Sequence, residues 1–494
     1  MTAFRAALLV SAMALIAGPL AGRAAPARDN GPTGEVLTYH ADAARSGDFV
    51  IPNLTAQRAR ALHPDPGFHA EIAGHVYAQP LFWHPAGGGA GLVLVPTEDD
   101  TVYALDGATG KTVWKQVLGQ PVPRSALPCG NIDPLGITGT PAIDPRDGAI
   151  YLDAMTMKSG AAAHEIFGLS LRDGSVLPGW PVDVGTAVSG FTARNQNQRA
   201  ALALLGDSVY VGFGGHFGDC ASYHGWVVGA KLVAPHQVTS WHTPAQPGAV
   251  WAPGGIASDG RSLYIATGNT MGARQWSGGE AVIRLPPDLQ FSDGTKDYFA
   301  PGNWREMDER DADLGGVAPA LIDVPGAAPL VLALGKDGKA YLLDRNNLGG
   351  IGHALAEREV SPRAIRTATA SYTVGEAVYV AFEGPGSDCP AGSSGRGLTV
   401  LKITASPPAI ATAWCGAVDG RGAPIVTTTD GKSDPIVWML GAEGDDRLYG
   451  FAGDSGQKLV ETAPMRGLRH FQTLIATPDR LYVAGDSAVY AFAF

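Results

Sequence analysis

One phrase of apolar strands separated by polar turns recurs along nearly the whole chain, and it leaves few folds open. Its clearest copy runs from Gly91 to Trp114, GLVLVPTEDDTVYALDGATGKTVW. This reads as a strand, a polar turn, a second strand, a tight Asp-Gly/Thr-Gly hairpin and a third strand. Further copies begin at Thr140, Ala201, Gly254, Val317, Ser371, Ala423 and Thr473. Copies spaced by roughly 40 to 60 residues match the period of propeller blades. They predict an all-β chain, an eight-bladed β-propeller of four-stranded antiparallel blades. Seven blades is the alternative count, because the degenerate copies are hard to delimit. The last copy ends at Phe494 after three strands. Residues 35–40 (EVLTYH) are therefore expected to supply the missing outer strand and close the ring, which removes free sheet edges.

The rest of the composition agrees with a single large domain over residues 35–494. The 66 glycines and 36 prolines of the 494 residues are spread evenly, as many turns require. Apolar residues make up 45% and charged ones 17%, so a large core is available. At the N-terminus Arg5 precedes an apolar run, Ala6 to Ala17, and a small-residue site near Gly22-Arg23-Ala24. That is the pattern of a signal peptide over residues 1–24, followed by a flexible leader over 25–34. The run is shorter than the ~20 residues that span a bilayer, and no later segment is long and apolar enough to cross. A periplasmic or secreted protein is expected. Its four cysteines would then form two disulfides, Cys129–Cys220 and Cys389–Cys415, paired by nearness in the repeat order. A net charge of −11 argues against nucleic acid or anionic membrane as a partner through a general positive field.

The innermost strand of a propeller blade leaves one face and the second strand returns to it. Residues just before the first strand and just after the second therefore share a mouth. In the fourth copy these are Trp251 and Asn269; in the fifth they are Asp311 and Asp313, then Lys336. The third copy contributes Asn195 and Gln198, then residues 214–219 ending at Asp219. Arg366, Arg421 and His470 lead the last three copies, while Glu98, Glu383 and Glu443 hold trailing places. Each residue alone has an ordinary explanation: rim packing for Trp251, a turn for Asn269 and Lys336, a solvated loop for the two acids. Their convergence on one funnel is what points to a site. An aromatic plate, an amide oxygen, carboxylates and a cation suit a flat anionic cofactor and a hard metal ion.

The phrase from Val102 to Trp114 resembles the tryptophan-docking motif of quinoprotein propellers. The pattern from Gln198 to Arg345 resembles the quinoprotein alcohol dehydrogenases, eight-bladed propellers that bind pyrroloquinoline quinone (PQQ). The resemblance implies that Trp251 lies under the quinone plane and that Asn269, eighteen residues on, ligates a Ca²⁺ or lanthanide ion. It makes Asp311 or Asp313 the catalytic base, and both of them metal ligands as in the lanthanide-using branch. Lys336, ahead of Leu343-Asp344-Arg345, would contact the quinone oxygens, with Arg366, Arg421 and Gln198 completing the cofactor-binding set. The match departs in two places. Cys129 is followed by Gly130 where the family has adjacent cysteines, and Gly214-Gly215 is not followed by the family's Glu ligand, leaving Asp219 as the substitute. The implied activity is oxidation of a small alcohol by hydride transfer to PQQ with metal assistance. No C-x-x-C-H haem motif is present, so electrons would pass to a separate periplasmic acceptor such as a cytochrome. The alternative is a non-catalytic propeller acting as a binding or envelope-assembly scaffold. A hydrolase or lyase is a third reading, without a Gly-x-Ser-x-Gly phrase to support it.

Overall fold

The computed structural model describes residues 34–85, 91–391, 393 and 396–494. The expected signal peptide and almost all of the leader lie outside these residues. The described chain forms eight sheets, each built on antiparallel strands that follow one another in the chain, which settles the count at eight blades. The first blade is Leu81–Trp83, Leu92–Thr97, Thr101–Asp106 and Thr112–Val117. Blades two to seven follow in chain order with innermost strands Ala142–Asp144, Ala203–Leu205, Ala257–Ser258, Ala320–Ile322, Ala370–Val374 and Ile425–Thr428. The eighth holds Ile475–Ala476, Arg480–Gly485 and Ala488–Ala493.

Strand position sets the burial pattern. Leu92–Thr97 is buried at every residue, because both faces of a second strand are covered by neighbouring blades. The outermost strand, Thr112–Val117, buries mainly Trp114. That indole docks on the next blade: its Nε1 donates to Leu171 O at 3.0 Å, and its ring packs on Gly174. Trp414 docks the sixth blade on the seventh in the same way, through Gly453 O at 2.8 Å and Gly456. Both expected disulfides form, with Cα–Cα distances of 6.1 Å for Cys129–Cys220 and 5.7 Å for Cys389–Cys415.

Residues 35–40 do not close the ring. The outer strand of the eighth blade comes from further on, where His63–Pro64 and Ala70–Glu71 pair with Ala488–Ala493. Residues 36–51 instead run through the central channel, against the inward edges of the innermost strands. Val36 exchanges backbone hydrogen bonds with Phe82 at 2.8 and 2.9 Å. Leu37 O, Ala43 O, Ser46 O and Gly47 O accept from Ile143, Ser258, Ser371 and Val426, at 2.7 to 2.8 Å. Asp48–Val50 then pairs in parallel with the seventh blade at Val426, Thr427 and Thr428. Arg45 is 3% exposed. Its guanidinium donates to Ile256 O at 3.0 Å, Leu202 O at 2.7 Å and Tyr39 O at 3.1 Å. The physical reason is simple: an inner strand edge facing an axis presents the same unpaired backbone groups as an outer edge, and an extended segment laid along it satisfies them.

Small residues let the blades converge above this axial segment. Ala201, Ala368 and Ala423 cluster with Tyr39. Gly254 completes the constriction, since a Cβ there would lie 2.8 Å from Ala318 Cβ and 3.1 Å from Ala368 Cβ.

Candidate functional site

The residues of the fourth and fifth blades meet at the mouth on the far side of this constriction. The helix Trp304–Arg310 ends in a left-handed cap at Asp311, φ 52°, a conformation that Asp tolerates. The chain then turns through Asp313 into the 3₁₀ turn Leu314–Gly316. Asp313 O accepts from the backbone N–H of Lys336 at 2.9 Å, which fixes the two loops of the blade together. Lys336 Nζ lies 2.7 Å from Asp311 Oδ1 and 2.9 Å from Asp313 Oδ2, and 5.5 Å from the centroid of the Trp251 ring. Asn269 Nδ2 donates to Asp311 Oδ1 at 2.9 Å. Trp251, Asn269, Asp311, Asp313 and Lys336 thus form one contact network.

Burial and charge compete within it. Burial pushes the Asp313 carboxyl up to about 6, although Lys336 pulls the other way. Burial also works against the Lys336 ammonium, but Asp313 and Asp311 outweigh it and hold its pKa above the ordinary lysine value. Asp219 joins the same field: Tyr223 donates to it at 2.6 Å, and its charge acts on Asp313. Beneath the network lies Glu280, fully buried, whose Oε2 accepts from the Leu314 N–H at 2.8 Å. Burial and then Asp313 push its carboxyl up to about 10. Asp308 accepts from Thr270 N at 2.8 Å and so ties the helix to the turn that carries Asn269.

The opposite wall holds the remaining residues. Phe471 of the eighth blade faces Trp251, with ring centroids 6.4 Å apart and planes at 49°. The Arg199 guanidinium lies 5.6 Å from the ring centroids of both Tyr77 and Phe471. Arg366 and Arg421 do not reach the acid pair; with Arg363 they surround Glu383, which burial nonetheless raises to about 7. Gln198 donates to Ala200 O and packs on Gly139. His470 pairs with Glu443 at 2.7 Å. Sequence reasoning missed Tyr77, Arg199, Tyr223, Glu280 and Phe471. Only Arg199 and Phe471 carried a usable signal, since each directly follows a residue in a leading place.

The donor set suits a hard cation in part. Asn269 Oδ1 and Asp313 Oδ1 are buried and lack any hydrogen-bond partner, the state of oxygens that an ion would satisfy. Among the described residues, however, no three His, Cys, Asp or Glu side chains are gathered as a metal would require. Lys336 is the cation that stands between the acids. A flat ring stacked on an indole needs about 3.5 Å on each face, so a plate between Trp251 and Phe471 fits once the tilted phenyl turns aside.

No protein-family model matches the sequence, and no curated protein matches it significantly. Solved structures do match in three dimensions. The quinohemoprotein alcohol dehydrogenase from Comamonas testosteroni superposes with a TM-score of 0.65 at 15% identity, covering 94% of this chain and 81% of that one. A europium-containing methanol dehydrogenase gives 0.61 at 14% identity, covering 94% and 98%. The fold is that of the quinoprotein alcohol dehydrogenases. BamB from Moraxella catarrhalis is similar too, with a TM-score of 0.51 at 15% identity over 86% of this chain and 100% of that one. The quinoprotein-like fold is therefore held by chains whose names differ in function, and the site must carry the functional argument.

Proposed function

We propose that this chain is an exported quinoprotein-type oxidoreductase acting on the CH–OH group of a small alcohol. The observation that carries the reading is the contact of Lys336 with both Asp311 and Asp313 beside the Trp251 ring. Trp251 would lie under the plane of PQQ, and Lys336 would hold its quinone oxygens. Arg366 and Arg421, across the mouth, would offer charge to its carboxylates, with Gln198 at the edge. Asn269, Asp311, Asp313 and Asp219 would share a Ca²⁺ or lanthanide ion. PQQ, when bound with its ion, supplies the hydride acceptor and a Lewis acid.

The protein's own part is placement and proton transfer. Asp313 is the better base of the two acids: it is buried, its Oδ1 has no partner, and its carboxyl is poised near neutral pH. It takes the hydroxyl proton of the substrate. Asp311 is held by Asn269 and Lys336 and shapes the field around it. Electrons then leave to a separate periplasmic acceptor. The two disulfides suit an oxidising compartment.

A second reading is a non-catalytic binding or envelope-assembly scaffold. It is favoured by Phe471 standing over Trp251 and by the likeness to BamB. One experiment separates them. The purified chain is mixed with PQQ and either Ca²⁺ or La³⁺, and its absorption spectrum and dye-linked alcohol oxidation are recorded. A bound quinone band with turnover, lost in Asp313→Asn, supports the oxidoreductase. Absence of both signals with either metal leaves the scaffold.

A further inference from the structure

Away from the mouth network, four side-chain oxygens are buried without partners where the first and second blades meet. Glu98 and Asp100 are fully buried and Thr138 is 4% exposed. Glu98 Oε1, Asp100 Oδ1, Asp100 Oδ2 and Thr138 Oγ1 have no hydrogen-bond partner. The Thr138 hydroxyl is near enough to Glu98 to favour its charge.

Gly136 gathers the two acids. Its N–H donates to Glu98 Oε2 at 2.7 Å, and a Cβ on it would stand 2.6 Å from Asp100 Oδ1. Gly119 closes the other side, its Cβ position 3.9 Å from Asp100 Oδ2. Asp100 holds a left-handed backbone, φ 52°, that turns its carboxylate into this space. The charges facing Asp100 are all of its own sign: Glu98, Asp153, Glu165 and Asp99. The nearby cations are engaged elsewhere. Lys158 pairs with Glu165 and Asp183, and Arg199, whose charge reaches Glu98, is held by the aromatic rings.

Neither protonation state satisfies this arrangement. An ionised Asp100 is a dry, unpaired charge, and a proton shared with Glu98 Oε1 still leaves the second Asp100 oxygen and Thr138 Oγ1 without a partner. A hard cation satisfies all four oxygens together, since calcium-class ions take carboxylate, hydroxyl, carbonyl and water oxygens in flexible geometry. We propose that a hard divalent cation of the calcium class binds between the first and second blades, on both oxygens of Asp100, Glu98 Oε1 and Thr138 Oγ1. Backbone carbonyls and water complete its shell. The ion holds two blades together and stands apart from the Asn269–Asp313 cluster, so it does not depend on the oxidoreductase reading. Burial pushes Asp100 up to about 9 and Glu98 to about 7, and a bound dication would return both to the charged form.

The test uses the full chain carrying Asp313→Asn, which disables the mouth acid. After EDTA treatment, bound Ca²⁺ is measured by equilibrium dialysis and the thermal midpoint is followed. One Ca²⁺ per chain and a saturable rise in the midpoint are expected, and both are lost on adding Asp100→Asn and Glu98→Gln. No bound calcium in the Asp313→Asn chain overturns the proposal, as does binding that survives the added substitutions. Should the multiple variant not fold, Tb³⁺ luminescence decides. In the Asp313→Asn chain the tyrosine-sensitised emission should be lost on adding Asp100→Asn alone, and unchanged emission places the ion elsewhere.

Discussion

Trp251 and Phe471 stand on the fourth and eighth blades, opposite each other in the ring, yet their ring centroids are 6.4 Å apart. The two side chains reach across the mouth and nearly meet over its axis. In the oxidoreductase reading Phe471 must turn before a flat cofactor can lie on the indole, and leaving a rotamer well costs about 0.5–1.5 kcal/mol. Phe471→Ala should therefore bind PQQ roughly two- to ten-fold more tightly, measured by absorbance titration. Weaker binding would make Phe471 a stacking partner of the cofactor.

Lys336 contacts two carboxylates at once. Lys336→Met leaves Asp311 and buried Asp313 facing each other, with Asn269 as the remaining donor. Removing one partner of a buried pair is costly, so a loss of about 2–4 kcal/mol is expected in denaturant titration. Added Ca²⁺ should recover part of it, because a dication can take the place of the ammonium. Equal loss with and without Ca²⁺ would deny these oxygens a role as metal ligands.

His40 should make the fold acid-sensitive. It is fully buried in the axial segment and stacks on Tyr39; its Nδ1 lies 3.0 Å from Thr369 O and its backbone N–H bonds to Gln79. Burial, with the Arg45 charge beside it, lowers its pKa to about 3. An unfolded chain takes this proton near 6.5, so between the two values the unfolded state binds more protons. Stability is full above about pH 6.5 and falls as pH drops toward 3, by at most ~1.4 kcal/mol per unit. Thermal midpoints from pH 7.5 down to 4.5 should drop less steeply in His40→Gln than in the wild type, after allowing for its lower starting value.

Arg45 ties the axial segment to the third and fourth blades. Arg45→Met removes the donors to Ile256 O, Leu202 O and Tyr39 O and leaves buried carbonyls bare. A cost of about 3–5 kcal/mol is expected, read as a lower denaturant midpoint with an unchanged slope. A change below ~1 kcal/mol would mean that the segment contributes little to holding the ring.

Much of this was legible in the sequence, for identifiable reasons. A period of two within strands and a longer period between blades both survive as residue patterns, so the propeller could be read. The rule that leading and trailing places share a mouth brought Trp251, Asn269, Asp311, Asp313 and Lys336 together. The same rule placed Arg366 and Arg421 at the mouth without revealing that Glu383 would claim them. Residues 35–40 read as a strand, but an extended segment pairs equally well with an outer edge or with an axial one, and composition does not distinguish the two. Glu280 left no trace, because its partner is the backbone N–H of Leu314, and every residue but proline has such a group.

The axial segment also says something about the order in which the molecule can be assembled. Ser46 O waits for Ser371, 325 positions later, and Asp48 for Thr428, 380 positions later. Val36 and Leu37 meet their partners early, but the segment from Ser46 on acquires its own only after the sixth and seventh blades exist, and such distant pairings make for slow folding. The lining of the ring is thus completed by the chain's own beginning only once those late blades stand ready to receive it.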